Sequence, residues 1–214
     1  MIKWLWRQAK IGYRTVFPKQ EAKKVIRPEA EKPVFHGDLA KFKTVVLIPG
    51  HEKGAKSGAI SVKDKNDKRW NERAYWGAVI DEVLKLPNSK IITVETRENG
   101  GIWGAYDRAD GADLIFELHF NNYNGKAKGV EALHTGKSKW LATEFCDFMC
   151  DRFDKVNRGG KDVAKYKRGR YSVLQGAKAS KYNLLTEAFF GDNPDDFVEV
   201  EPMAQALAEF IDQL

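Results

Sequence analysis

The chain has 214 residues and a mass of 24.3 kDa, the size of one domain with a short extension. Hydrophobic residues make up 43% of it, enough to bury a sizeable core, so folding requires neither a disulfide framework nor a structural metal. The formal net charge of +6 lies entirely in residues 1–33, because the remainder carries equal numbers of basic and acidic side chains. No run approaches the roughly 18 apolar residues that span a bilayer, so no transmembrane helix is expected.

Residues 2–17 predict a basic amphipathic helix that ends at Pro18. Its basic and apolar side chains recur at helical spacing on two faces: Lys3, Arg7, Lys10 and Arg14 on one, and Ile2, Leu5, Ala9, Tyr13 and Val16 on the other. Residues 18–33, rich in Lys, Glu and Pro, predict a linker or a strap across the surface. The helix either docks on the body of the protein or contacts an anionic lipid surface or wall polymer. We therefore divide the chain into an N-terminal arm, 1–40, and a folded domain, 41–214.

The first seven residues superficially resemble a secretory signal peptide. Charges at Lys10 and Arg14 interrupt any apolar stretch of the ~7–15 residues that such a signal needs. We therefore expect a chain that is made in the cytoplasm without a signal peptide.

From residue 43 onward, short apolar strands alternate with helices. The predicted strands cover 43–48, 90–95, 112–118, 130–134 and 183–188, and the predicted helices cover 72–86, 103–110, 138–153 and 201–214. This alternation predicts an α/β fold of three layers, in which a mostly parallel, twisted sheet is flanked by helices. In such sheets, functional side chains lie just beyond the carboxyl ends of the strands.

The two cysteines, Cys146 and Cys150, lie four residues apart on one face of the predicted 138–153 helix. Helix geometry disfavours a disulfide between them, so we expect two small core residues. Nothing in the cysteine content indicates an oxidising compartment.

Three residues near strand ends have side chains that bind metals. His51 directly follows the first strand, Glu72 opens the first helix, and His119 follows the third strand. Two imidazoles and one carboxylate are a ligand set for catalytic zinc that leaves a position for water. Glu187, at the end of the last strand, is a candidate general acid/base. Taken singly, a histidine at a strand end is more often structural and a glutamate more often solvated. The order and context of these four residues together favour a shared site.

In this order and context, seven short motifs resemble those of the zinc-dependent N-acetylmuramoyl-L-alanine amidases of cell-wall remodelling and phage lysis. The motifs are Ile48-Pro49-Gly50-His51-Glu52, Asn71-Glu72-Arg73, Thr96-Arg97, Arg108 before the third strand, Glu117-Leu118-His119-Phe120-Asn121, Gly129-Val130-Glu131, and the run from Leu185 to Asp196. The resemblance covers residues 43–214.

The resemblance implies the fold, the metal and the substrate class. By it, His51, Glu72 and His119 ligate Zn²⁺, and Glu187 is the catalytic glutamate of an amidase domain over residues 41–214. The substrate is the amide between N-acetylmuramic acid and L-alanine in bacterial peptidoglycan, and we expect no nucleic-acid partner. A catalytic domain without a signal peptide looks like a phage-type lysis enzyme, or endolysin, that reaches the cell wall after release from the cytoplasm.

The chain departs from the family pattern at Ile48, Glu52 and Glu117, where the family has Asp, Gly and Ser. Glu117 precedes His119 by two residues and therefore points the same way from its strand. Its carboxylate is either a hydrogen-bond partner of a metal ligand or a solvated group.

Several other residues near the motifs have less specific interpretations. The basic segment 158–181 either contacts the carboxylates of stem peptides or is a solvated loop. We favour a structural role for His134, leave Glu131 undecided, and regard His36 as incidental.

Two other functions remain open at this point. The chain could be a zinc peptidase or deacetylase that acts on another cell-wall amide, or a wall-binding protein that has lost catalysis.

Overall fold

A computed structural model describes residues 42–54, 58–165, 174 and 182–214. The predicted helix at 2–17, the linker at 18–33, the domain boundary at residue 40 and His36 lie outside these residues and stay predictions. No helix in the described part of the chain is long and apolar enough to cross a membrane.

Eight strands and four α-helices follow one another along the described chain. In order they are β1 Thr44–Pro49, β2 Ile60–Lys63, β3 Arg69–Asn71, α1 Glu72–Val83, β4 Ile91–Val94, α2 Gly101–Arg108, β5 Leu114–Asn121, β6 Val130–His134, α3 Lys139–Phe153, β7 Asn157–Asp162, β8 Tyr182–Phe190 and α4 Val200–Gln213. Every strand and helix predicted for this part of the chain is present, with ends that differ by a few residues.

The main sheet has the strand order β4-β1-β5-β8-β6-β7. The first four of these strands are mutually parallel, β6 runs antiparallel to β8, and β7 is parallel to β6. The predicted α/β fold with a mostly parallel sheet is therefore confirmed.

Alternate residues of each strand face opposite layers, because side chains project from the two faces of a strand in turn. Val45 and Leu47 of β1 belong to the core that includes α1, α3 and α4. Val46 and Ile48 belong to a second core that includes α2. The sheet thus separates two apolar layers, which accounts for the nearly continuous hydrophobic run of β1.

Three strands have no hydrophobic pattern that would predict them. β2 and β3 form an antiparallel hairpin of four and three residues, of which three are exposed and one is buried. β7, with the sequence Asn-Arg-Gly-Gly-Lys-Asp, lies at the sheet edge and buries little. Backbone pairing rather than apolar burial defines these strands, so sequence alternation does not report them.

The end of β8 is held by a buried ion pair. Asp196 is 1% exposed and accepts hydrogen bonds from the backbone N–H groups of Phe190, at 2.7 Å, and Gly129, at 3.0 Å. Lys155 Nζ lies 2.9 Å from its other carboxylate oxygen. Asp196 therefore joins the loop before β6 to the carboxyl end of β8.

Cys146 and Cys150 are both free and buried in α3. The expectation of unpaired core cysteines is confirmed. Burial raises the pKa of the Cys146 thiol to about 12.

Candidate active site

His51 reaches the site because β1 ends in a close approach to β5. The Gly50 N–H donates to the Leu118 carbonyl at 2.7 Å. A Cβ at Gly50 would lie 2.6 Å from both Cε1 and Nδ1 of His119, so no larger residue fits there. His51 itself has a φ of 66°, a left-handed conformation that turns the chain away from the strand.

Glu72 is oriented before any ligand arrives. The Asn71 side chain caps α1 by accepting from the Ala74 N–H at 2.8 Å. The Glu72 carboxylate accepts hydrogen bonds from the backbone N–H groups of Ala59 and Phe120, each at 3.1 Å. The residue is 3% exposed, so these contacts hold its carboxylate in a buried position.

The three predicted metal ligands come together. His51 Nε2 lies 3.1 Å from Glu72 Oε2, and His119 Nδ1 lies 2.7 Å from Glu72 Oε1. One ligand atom of each residue lies within 4.8 Å of the other two, an arrangement that could hold a metal ion. One difference from the prediction is that His119 lies inside β5 rather than after it, because that strand continues to Asn121.

The charges of this cluster favour a cation. Burial raises the pKa of Glu72, but hydrogen bonds and charge interactions with the two histidines lower it to about 2. Burial lowers the pKa of His119, whereas the carboxylates of Glu117 and Glu72 raise it to about 10. In the absence of metal, these carboxylates therefore hold His119 as an imidazolium, whose positive charge a bound cation would replace.

Glu187 lies in β8 directly opposite His119 of β5 in the strand register. Burial raises its pKa, the charge of His119 lowers it, and nearby carboxylates, Glu72 among them, raise it; together these effects bring the pKa to about 8. Its Oε2 atom is buried and has no hydrogen-bond partner among the residues that the structure describes. A carboxyl group in this position can hold or release a proton near neutral pH.

Glu117 is buried, so of the two roles left open by the sequence, the solvated carboxylate is excluded. The residue is 2% exposed, and its Oε1 lies 2.9 Å from His119 Nε2. Arg97 forms an ion pair with it, and the Tyr106 hydroxyl donates to its Oε2 at 3.2 Å. Thr96-Arg97 was a motif of the family resemblance, but the sequence did not predict the contact of Glu117 with Arg97 or with Tyr106.

A cleft of about 380 Å³ lies at the carboxyl ends of β5 and β8, the strands that carry His119 and Glu187. Its lining consists of Asn121, Asn122, Tyr123, Asn124, Ala127, Glu131, Arg158 and Phe190. Glu131, left undecided from sequence, pairs with Glu187 in the register of β6 and β8. Its carboxylate accepts from the Asn121 amide at 3.2 Å and from Arg158 Nε at 2.7 Å. Amide and guanidinium groups thus line this cleft.

Two further predictions concern residues at the periphery. His134 is buried and its Nδ1 lies 2.9 Å from the Thr135 carbonyl, which suits the structural role that we favoured. Of the basic segment 158–181, residues 166–173 and 175–181 lie outside the described residues, so its role stays a prediction.

No protein-family model and no curated protein matches the chain. Solved structures do match it. The catalytic domain of CD27L endolysin, which targets Clostridia Difficile, is 24% identical, with a TM-score of 0.57 over 79% of this chain and 96% of that one. The N-acetylmuramoyl-L-alanine amidase CwlV from Bacillus (Paenibacillus) polymyxa var. colistinus is 20% identical, with a TM-score of 0.58 over 79% and 96%. An N-acetylmuramoyl-L-alanine amidase from Clostridium difficile 630 is 19% identical, with a TM-score of 0.59 over 79% and 95%. The chain therefore has the fold of these catalytic domains, as its motifs predicted.

Proposed function

We propose that this chain is a zinc-dependent amidase that hydrolyses the amide between N-acetylmuramic acid and L-alanine in bacterial peptidoglycan. The observation that carries the proposal is the convergence of His51, Glu72 and His119, with ligand atoms within 4.8 Å of one another. The shared fold with N-acetylmuramoyl-L-alanine amidases supports the choice of substrate.

The donor set fits zinc. Zinc bonds to nitrogen and oxygen of about 2.0–2.2 Å put neighbouring tetrahedral ligands roughly 3.3 Å apart. His51 Nε2 and His119 Nδ1 lie 3.1 and 2.7 Å from the two oxygens of Glu72, somewhat closer than that value, as expected for side chains that pair with one another where no cation separates them. Two imidazoles and a carboxylate also leave a coordination position free, as a catalytic site requires. Bound zinc would supply Lewis acidity toward the scissile carbonyl and lower the pKa of a water ligand to about 7.

Glu187 would carry the proton through the reaction. As a carboxylate, it accepts a proton from the attacking water, and as a carboxylic acid it returns that proton to the departing L-alanine nitrogen. Its raised pKa, about 8, suits this exchange, because both the protonated and the deprotonated form of the Glu187 carboxyl group must be accessible near neutral pH. Among the described residues its Oε2 has no hydrogen-bond partner, which suits an atom that receives a proton from the water.

The cleft beside Glu187 would receive the peptide part of the substrate. Asn121 and Arg158 line it and offer amide and guanidinium groups, which bind peptide carbonyls and carboxylates. The Arg158 guanidinium lies 5.1 Å from the centre of the Phe190 ring and is paired with Glu131, so it is held in place.

We further propose that the chain acts as a phage-type lysis enzyme. A similar solved structure is the catalytic domain of an endolysin, which supports this setting. Addition of the purified chain to intact and outer-membrane-permeabilised bacteria tests it: rapid lysis is expected, and hydrolysis of isolated wall without lysis would contradict a lytic role.

Digestion of purified peptidoglycan by the zinc-loaded chain, followed by mass analysis of the products, tests the amidase proposal. Intact glycan strands and peptides that begin with L-alanine are expected. Peptides cut elsewhere, or deacetylated glycan, would replace the proposal with a peptidase or deacetylase.

Two variants accompany this experiment. His51→Ala should lose both zinc and product formation, because it removes a ligand. Asp195→Ala changes an exposed carboxylate and should behave as the parent chain. Full zinc content in His51→Ala would contradict the ligand set.

A further inference from the structure

We infer that Glu117 is a positioning residue, which in the metal-loaded chain holds the one remaining ring proton of His119 on Nε2, so that Nδ1 is the metal-binding nitrogen. This inference rests on the proposed metal site. The two ring nitrogens face different carboxylates: Nδ1 lies 2.7 Å from Glu72 Oε1, and Nε2 lies 2.9 Å from Glu117 Oε1. Glu72 belongs to the ligand cluster, so Nδ1 is the nitrogen on the cation side.

A carboxylate can only accept hydrogen bonds, which decides the tautomer. When Nδ1 gives its lone pair to a cation, the ring proton must lie on Nε2, where Glu117 accepts it. Arg97 Nη2 also approaches Nε2, at 3.4 Å, but the contact with Glu117 is shorter and Arg97 can only donate. The reverse tautomer would accept from Arg97 and would remove Nδ1 from the metal.

Glu117 is itself held by partners on both oxygens. The Arg97 guanidinium pairs with Oε1, and the Tyr106 hydroxyl donates to Oε2 at 3.2 Å. The side chain of Glu117 is 3% exposed, so its charge is balanced by Arg97 rather than by water. The carboxylate therefore has a fixed position and stays an acceptor.

The fold explains why this arrangement is specific. Glu117 and His119 lie two residues apart on β5 and project from the same face of the sheet. Tyr106 belongs to α2, which packs against that face. β5 and α2 therefore place Glu117 and its partner Tyr106 together, on the Nε2 side of His119 rather than on the Nδ1 side that faces the cation.

Zinc affinity of the full chain, measured by competition with a chromogenic chelator, tests the inference. Glu117→Ala should raise the zinc Kd by about 10- to 100-fold, the usual loss when the partner of a ligating histidine is removed. Glu117→Gln keeps an acceptor oxygen of the same reach and should recover most of that loss. Glu95→Gln is the matched control, since Glu95 pairs with Arg108 through its carboxylate, and its Kd should not change.

Nitrogen-15 NMR of the imidazole rings in the zinc-loaded parent chain reads the tautomer directly. An Nε2–H proton on His119 with a metal-shifted Nδ1 is expected, and this measurement needs no variant to fold. An Nδ1–H proton, or a parent-like Kd in a folded Glu117→Ala, would overturn the inference. A chain that binds zinc as described but leaves peptidoglycan uncut would refute the proposed function and keep this inference.

Discussion

Replacement of Glu187 by glutamine should change the stability of the chain and its catalytic rate in opposite directions. The carboxyl group is buried, and its Oε2 has no hydrogen-bond partner in the described part of the chain. Burial, opposed by His119 and reinforced by neighbouring carboxylates, raises its pKa from 4.5 to about 8. Glutamine has the same shape and no charge, so Glu187→Gln removes the cost of burying this anion and also removes the proton acceptor.

The raised pKa sets the sign and size of the effect on stability. The folded chain binds the Glu187 proton more tightly than the unfolded chain does. The contribution of this group to the free energy of unfolding is therefore fully present below pH 4.5 and is lost as the pH rises through about 8. At about 1.36 kcal/mol per pH unit above 4.5, the loss reaches up to about 3 kcal/mol at pH 7. Metal-free Glu187→Gln should therefore be more stable than the parent chain by up to about 3 kcal/mol at pH 7, and by much less at pH 5.

Denaturant unfolding of both chains in the presence of a chelator, at pH 5 and pH 7, measures this difference. The release of new amino termini from peptidoglycan measures the chemistry, and zinc-loaded Glu187→Gln should lose about 10²–10⁴-fold in rate. Glu209→Gln, an exposed carboxylate on α4, is the control and should change stability by less than about 0.5 kcal/mol. A stability difference that does not grow with pH would refute the reasoning from burial, and full activity would refute the role of Glu187.

Three other predictions concern the supports of the site. Asp196→Ala should destabilise the chain by about 3–5 kcal/mol in chemical denaturation, because it leaves the Lys155 ammonium buried without its partner. Asp195→Ala, at an exposed position, should cost under about 1 kcal/mol, and equal effects of the two variants would contradict this reasoning. Gly50→Ala should displace the His119 ring and lower activity by about 10²-fold. Gly136→Ala should be neutral, because an added Cβ there has no atom within 4 Å. A fully active Gly50→Ala would show that the His119 ring can move aside. Removal of zinc should lower the melting temperature, since zinc at 100 times its Kd stabilises the folded chain by about 2.7 kcal/mol, and an unchanged melting curve would argue against binding to the folded state.

Apolar patterning explains which elements could be predicted. β1 is a continuous buried run and α4 has a clear apolar face, and both were predicted within two residues. β7 is polar, and the β2–β3 hairpin has strands of only four and three residues, with a partly buried Trp70 against the first core, so neither gives an apolar pattern long enough to predict a strand. The antiparallel orientation of β6 depends on its partner β8, and local sequence carries no information about it.

The residue order along the chain was sufficient to select His51, Glu72, His119 and Glu187 as candidates, because strand ends and short motifs are local properties. Their separations, the burial of Glu117 beside His119 and the raised pKa of Glu187 depend on strand register and on helix packing between segments far apart in sequence. A glutamate is the same residue in the sequence whether water or protein surrounds its carboxylate. Only the packed fold determines how much hydration the carboxylate loses and which charges lie near it, and these two effects set its pKa.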